Sequence, residues 1–289
     1  MENLSIIIPV YNEENAVGET VNYFNTLLEK NPGVEIIFVD DGSVDNTPQI
    51  LESFRSKYVK IITQDRNKGY GAAIKRGVKN SSLEYIGITD ADGSYPHEKI
   101  SELFEKLLAE NADMAIGARV GKKVEIGIFR RFPKFVLRKL AEYLSEEEIP
   151  DLNSGLRIIK KEHILKSLKY LPEGFSFTTT LTLFLLANNY KIIYLPIDYY
   201  KRKGKSKINP IKDTLNFLQL IIRTVMFFNP LKIFLPLSGF FFILSFLVLI
   251  ISYLAGRVMD ITTILLFVTG LHLLAIGLLA DLIDKRLTK

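Results

Sequence analysis

The chain contains no cysteine and no tryptophan. Without cysteine there is no disulfide framework, no thiolate nucleophile and no Cys-ligated zinc site. Histidine is nearly absent too: positions 97, 163 and 272 are too scattered to suggest a His-based metal centre. The start of the chain lacks a basic n-region. Asn3 and Ser5 lead straight into the strand-length IIIPVY, so no signal peptide is expected.

Charge of either sign is missing from two long stretches. IFLPLSGFFFILSFLVLIISYLAG, from Ile233 to Gly256, carries none, and ITTILLFVTGLHLLAIGLLA, from Ile261 to Ala280, has only the neutral His272. A hydrocarbon core of about 30 Å needs about 20 apolar residues of helix, so each stretch is long enough to cross. The alternative is a helical hairpin buried in a soluble core, but such helices usually keep a polar face, and these show none. Basic residues crowd the stretch before the first span (Lys201, Arg202, Lys203, Lys205, Lys207, Lys212) and follow the second (Lys285, Arg286, Lys289). Between the spans stands Arg257, beside Asp260. The positive-inside rule then predicts a multi-pass cell-membrane protein whose large N-terminal region and C-terminus are cytoplasmic. The formal net charge of +5 is therefore read as facing a lipid bilayer, with no nucleic-acid partner.

The remainder alternates β-branched runs with helical patterns. LSIIIPVY, VEIIFVDD, VKIITQ, EYIGITDAD and ADMAIGARV read as strands, and the segments between the first four and from about Pro96 to Glu110 as helices. Such alternation predicts an α/β, mainly parallel sheet covered on both faces, with ligands at the carboxyl ends of its strands. The polar clusters YNE, DDGS and DADGS all fall at those ends. IFRRFPKFVLRKLAEYL is basic and amphipathic, suited to a membrane interface or to packing on the sheet, and IKDTLNFLQLIIRTVMFF is similar.

Asp90 and Asp92 flank one residue, and strand alternation would aim both to one side. A hard divalent cation would relieve their repulsion, although such pairs also occur in ordinary turns. Asp40 and Asp41 end a strand; Asp41, Ser43 and Asp45 could cap the next helix, or an Asp there could accept from a base or ribose. KGYGAAI imitates a dinucleotide fingerprint, but Ile74 holds the third glycine's place and the motif follows the third strand. Its glycines are expected to serve close packing or a turn. YYKRKGKSKINP is either a polybasic membrane-adjacent patch or an anion site.

In order, IIIPVYNEE (6–14), VDDGSVDNT (39–47), NKGYGAAIKRG (67–77), TDADGSYP (89–96), GARV (117–120), DLNSGLRI (151–158) and KRKGKSKINP (201–210) resemble the family 2 glycosyltransferases of GT-A fold. Within that family they resemble the polyprenyl- and dolichyl-phosphate mannose and glucose synthases. The resemblance implies a Rossmann-like GT-A domain over 1–230, with interfacial helices at about 128–144 and 208–228. It also implies a transmembrane hairpin over 231–289, with spans at about 233–256 and 261–280. Pro9, Tyr11, Glu13, Val39, Asp41, Asp90 and Ala91 would hold a UDP- or GDP-linked sugar, and Asp90 and Asp92 would be catalytic. Asp92, with Asp90 and Ser94, would hold Mg²⁺ or Mn²⁺; Ser94 stands where mannose synthases often have Gln. Arg119, Arg131, Arg202 and Lys207 would gather the acceptor phosphate and the donor diphosphate. The implied reaction is inverting transfer to a polyprenyl phosphate. Transfer to a saccharide or another lipid, and a non-catalytic membrane scaffold, are the alternatives. The Gln-x-x-Arg-Trp signature of processive polysaccharide synthases is excluded by the missing tryptophan.

Overall fold

The structure, a computed structural model, describes residues 1–54, 59–121, 131–174, 176–201, 220, 230–256 and 260–287. The chain divides into two compact units, Met1–Glu142 with Glu147–Leu220, and Tyr143–Glu146 with Ile221–Lys289.

The first unit is built on a seven-stranded sheet: β1 (Glu2–Val10), β2 (Gly33–Asp40), β3 (Val59–Thr63), β4 (Tyr85–Ile88), β5 (Met114–Ala118), β6 (Arg157–Lys160) and β7 (Ile192–Pro196). Their spatial order is β3-β2-β1-β4-β6-β5-β7. All pairings are parallel except those of β6, which runs antiparallel to both β4 and β5. The helices are α1 (Val17–Lys30), α2 (Thr47–Glu52), α3 (Tyr70–Asn80), α4 (Lys99–Ala109), α5 (Arg131–Ser145), α6 (Lys161–Ser167) and α7 (Phe177–Ala187).

The continuous apolar run of β1 is buried on both faces, as a central parallel strand requires. Its period of two sorts the core into layers. Leu4, Ile6, Ile8 and Val10 face α1 and α4, where Val21, Phe24, Leu103 and Phe104 pack. Ile7 joins Ile37, Val39, Ile86 and Ile88 against Ile74 and Val78 of α3 and Phe177 and Leu181 of α7. The chain winds outward in opposite senses from β1, to β2 and to β4. That reversal opens a crevice beyond the carboxyl ends of β1, β2 and β4.

All five expected strands are present. β6 and β7 come in addition to them, and α4 begins at Lys99 rather than near Pro96, because Pro96 and His97 form a turn whose carbonyls receive the N–H groups of Lys99 and Ile100.

The second unit holds α8 (Leu231–Leu254) and α9 (Asp260–Leu287), each long and apolar enough to cross a membrane. They pack through small residues: Ser245 Oγ donates to the Thr263 carbonyl at 2.9 Å, Gly270 lies against Phe242 and Gly277 against Phe234. The expected helix at 208–228 falls outside the described residues, apart from Leu220.

Candidate active site

Two loops at the ends of β1 and β2 are stitched together. The Asn12 N–H donates to Ser43 Oγ, the Val44 N–H returns to Asn12 Oδ1, and the Glu13 N–H donates to Thr47 Oγ1, all at 2.8–2.9 Å. Asn12 adopts φ +53°, a left-handed turn that asparagine tolerates. The interlock ties the segment after β1, which carries Tyr11 and Glu13, to the segment after β2. Pro9 and Val39 are register partners and both are buried.

Asp41 lies just beyond β2. Its carboxylate accepts from Gln64 Nε2 at 2.9 Å and from the backbone N–H groups of Lys68 and Gly69, both at 2.8 Å. Burial pushes its pKa up, with neighbouring Asp40 adding to the effect and the two backbone donors opposing it. Asp40 receives the Ser43 N–H on Oδ1, while its buried Oδ2 has no hydrogen-bond partner among the described residues.

β4 ends at Ile88, so the alternation expected to aim Asp90 and Asp92 to one side does not extend to them. Separate hydrogen bonds aim them instead. Asp90 Oδ1 accepts from the Tyr70 hydroxyl at 3.0 Å. Asp92 Oδ1 accepts from both the N–H and the hydroxyl of Ser94, at 3.0 and 2.5 Å. The backbone from Asp90 to Ser94 is braced at three carbonyls. Thr20 Oγ1 donates to the Ala91 carbonyl, His97 Nε2 to the Asp90 carbonyl, and the Tyr200 N–H to the Ser94 carbonyl. His97 packs on Tyr23 and Phe24, and burial lowers its pKa. Its ring therefore serves as a neutral brace.

Arg119, at the end of β5, is committed inside the protein. Nε and Nη2 make a bidentate pair with Asp151 at 2.6 and 2.8 Å, Nη2 reaches Asn153 Oδ1 at 2.6 Å, and the guanidinium lies 5.2 Å from the Tyr199 ring centre. Behind this, Arg157 of β6 is wholly buried. It donates to the carbonyls of Ser154 and Thr178 and to Thr182 Oγ1. Arg202 and Lys207 lie outside the described residues, and of Arg131 only its place opening α5 is described.

The structure thus gathers the carboxylates of Asp41, Asp90 and Asp92 at the ends of β2 and β4. Asp92, with Asp90 and the Ser94 hydroxyl, offers the hard oxygen donors that suit Mg²⁺ or Mn²⁺. Among the described residues no three His, Cys, Asp or Glu side chains form a closed metal site. Tyr70, Gln64, His97 and Arg157 escaped the sequence reading. Tyr70 stood in view between the two glycines of KGYG, while the others carry no local signal.

The mixed, mostly parallel sheet has the architecture known as GT-A. It is shared with glucosyl-3-phosphoglycerate synthase of Mycobacterium tuberculosis, solved with Mn²⁺, UDP and glucosyl-3-phosphoglycerate. That likeness has a TM-score of 0.58 at 17% identity and covers 78% of this chain and 79% of that one. Residues 5–167 match glycosyl transferase family 2, and the chain belongs to that family; residues 229–285 match the GtrB C-terminal hairpin. A dolichol-phosphate mannosyltransferase of Pyrococcus furiosus is 31% identical over 231 residues, 76% of this chain and 63% of that protein. An undecaprenyl-phosphate 4-deoxy-4-formamido-L-arabinose transferase of Shewanella sediminis is 27% identical over 301 residues, 98% of this chain and 87% of that protein.

Proposed function

We propose that the chain transfers a sugar from a UDP- or GDP-linked donor to a polyprenyl phosphate at the cytoplasmic membrane face, with inversion, giving a polyprenyl-phosphate monosaccharide. The observation that carries this reading is the pair Asp90 and Asp92, each aimed by its own hydroxyl at the end of β4, across from Asp41 at the end of β2. The names of the relatives and the C-terminal hairpin support a lipid phosphate as acceptor.

A phosphate monoester has a second pKa of about 6 and is largely dianionic at neutral pH, so its oxygen attacks C1 of the sugar without a strong base. That suits a site whose one histidine, His97, is a buried brace. Pro9, Tyr11, Glu13, Val39, Asp41 and Ala91 form the donor wall, and Asp90 orients the donor. Asp92, Asp90 and Ser94 would hold the divalent cation. When bound, Mg²⁺ or Mn²⁺ neutralises charge on the departing diphosphate. Arg202, Lys207 and Arg131 draw in the acceptor phosphate. Arg119, already neutralised by Asp151, contributes by fixing the wall at the end of β5. Two apolar helices keep the site close to a two-dimensional acceptor pool, which raises its effective concentration.

The test uses the full chain in detergent with labelled UDP-glucose, UDP-GlcNAc or GDP-mannose, a polyprenyl phosphate and Mg²⁺ or Mn²⁺. Label is expected to enter the organic phase from one donor and to stay aqueous with EDTA or in Asp92→Ala. Donor binding with no transfer to any polyprenyl phosphate would refute the acceptor, and absence of nucleotide binding would favour the scaffold alternative.

A further inference from the structure

Residues 67–71, NKGYG, have no part in the chemistry above, yet they run between the two acidic strand ends. The N–H groups of Lys68 and Gly69 are held by Asp41, at the end of β2. One residue on, Tyr70 opens α3 and its hydroxyl donates to Asp90, beyond the end of β4. Three consecutive residues therefore link the carboxylate of one strand end to that of another.

The link is clamped from outside. Gly69 adopts φ +107°, and a Cβ there would lie 2.6 Å from the Glu173 carbonyl oxygen. A Cβ on Gly71 would lie 2.3 Å from the Pro172 carbonyl oxygen, and the Ala72 N–H donates to the Glu173 carbonyl at 3.0 Å. Only glycines on both sides of Tyr70 let the 172–174 loop press this closely, so the aromatic residue between them has a fixed base.

Asp90 is also confined by Gly155. A Cβ on Gly155 would lie 3.0 and 3.2 Å from the two carboxylate oxygens and 3.1 Å from the Tyr95 ring, while the Gly155 N–H donates to the Tyr95 hydroxyl at 2.6 Å. The turn carrying Gly155 closes around the Arg157 guanidinium, which two donors tie to the Ser154 carbonyl. The Asp90 carboxylate thus has the Tyr70 hydroxyl and the bare Cα of Gly155 among its neighbours.

We infer that Tyr70 is a positioning residue, its hydroxyl fixing the direction in which Asp90 presents its carboxylate to the nucleotide-sugar. This rests on the function proposed above. The terminal torsion of an aspartate is broad and roughly two-fold, so an unanchored carboxylate samples many orientations. A hydroxyl donating to a charged oxygen narrows them, and losing it weakens donor binding by about tenfold.

Tyr70→Phe removes the hydroxyl and keeps the ring. The full chain in detergent is titrated calorimetrically with UDP-glucose, UDP-GlcNAc and GDP-mannose, with and without Mn²⁺. Thermal unfolding, the acceptor KM and ligand-free crystal structures of both proteins accompany the titration. The expected result is a donor Kd about tenfold weaker, an unchanged acceptor KM and melting temperature, and an Asp90 carboxylate that has turned or split between orientations. Gly155→Ala, crowding the same carboxylate, is expected to weaken the donor likewise. The inference is overturned if the Tyr70→Phe donor Kd stays within about twofold of wild type. It is also overturned if donor affinity, acceptor KM and stability fall together, or if Asp90 keeps its orientation. Should wild type bind no nucleotide-sugar, the proposed function falls, while the orientation of Asp90 still decides the role of Tyr70.

Discussion

Two buried carboxylates of the site are held by opposite means. Asp41 rests on backbone N–H groups and is pushed towards protonation by burial, whereas Asp151 faces Arg119 and is held below the usual carboxylate range. Burial alone would raise Asp151; the paired hydrogen bonds and charge of Arg119 outweigh it. A carboxyl depressed in the folded state adds stability above its unfolded pKa of about 3.9, and that stability is lost as pH falls through the lower folded value. Asp151→Ala strands a buried guanidinium and is expected to cost about 3–5 kcal/mol at neutral pH. Melting curves of both proteins from pH 7 to 3 should show the gap persisting to about pH 4 and closing only below it. Ser94 supports a different outcome. Its hydroxyl and N–H both fix Asp92 Oδ1, so Ser94→Ala should raise the cation concentration for half-maximal transfer by about 10- to 100-fold with little change in melting temperature. An unchanged cation requirement would remove the Ser94 hydroxyl from the cation site.

At the scale of elements, α3 shows how much the sequence discloses. KGYGAAI follows the third strand and has Ile74 in the third glycine's place, which speaks against a dinucleotide fingerprint, and Ile74 is a core residue. The expectation of close packing holds too: Gly69 and Gly71 both meet the 172–174 loop, where a Cβ would lie 2.6 and 2.3 Å from backbone oxygens. Gly71→Val should therefore destabilise the fold by about 1–3 kcal/mol, read as a lower melting temperature, and should weaken the donor by shifting Tyr70. β1 and β2, with their long β-branched runs, were legible because a central parallel strand must be apolar on both faces. β6 was not, for a physical reason. It is four residues long and opens with Arg157, a residue that composition assigns to the surface. What brings it inside is the non-local set of oxygens on Ser154, Thr178 and Thr182, which no window along the chain contains. The site divides in the same way. The carboxylates announce themselves as DDG and DAD, but the hydroxyls that aim them come from one close neighbour, Ser94, and from Tyr70, 20 residues away in sequence.

Over the whole molecule the two units obey different solvents. In the first, the large aliphatic side chains of the sheet are buried; in the second, Phe240, Ile243, Phe246, Ile261 and Leu265 are all exposed while Ser238, Ser245 and Ser252 turn inward. Burying serines and exposing isoleucines inverts the rule for water. It matches a bilayer, where helices pair through small residues and present bulk to lipid. The proposed orientation, with both ends of the hairpin cytoplasmic, rests on the basic residues at 201–212 and 285–289 against the lone Arg257 between the two apolar stretches. The absence of native cysteine makes this directly measurable, since every engineered thiol is the only one present. Met259→Cys should react with a membrane-impermeant maleimide in intact cells. Glu105→Cys and Lys289→Cys should stay unlabelled until the membrane is permeabilised. Labelling of Glu105→Cys in intact cells would put the carboxylates on the outer face, away from cytoplasmic nucleotide-sugars, and the proposed reaction would lose its donor. Labelling of Lys289→Cys alone would mean that one of the two apolar helices does not cross, leaving the chain tethered by a single span.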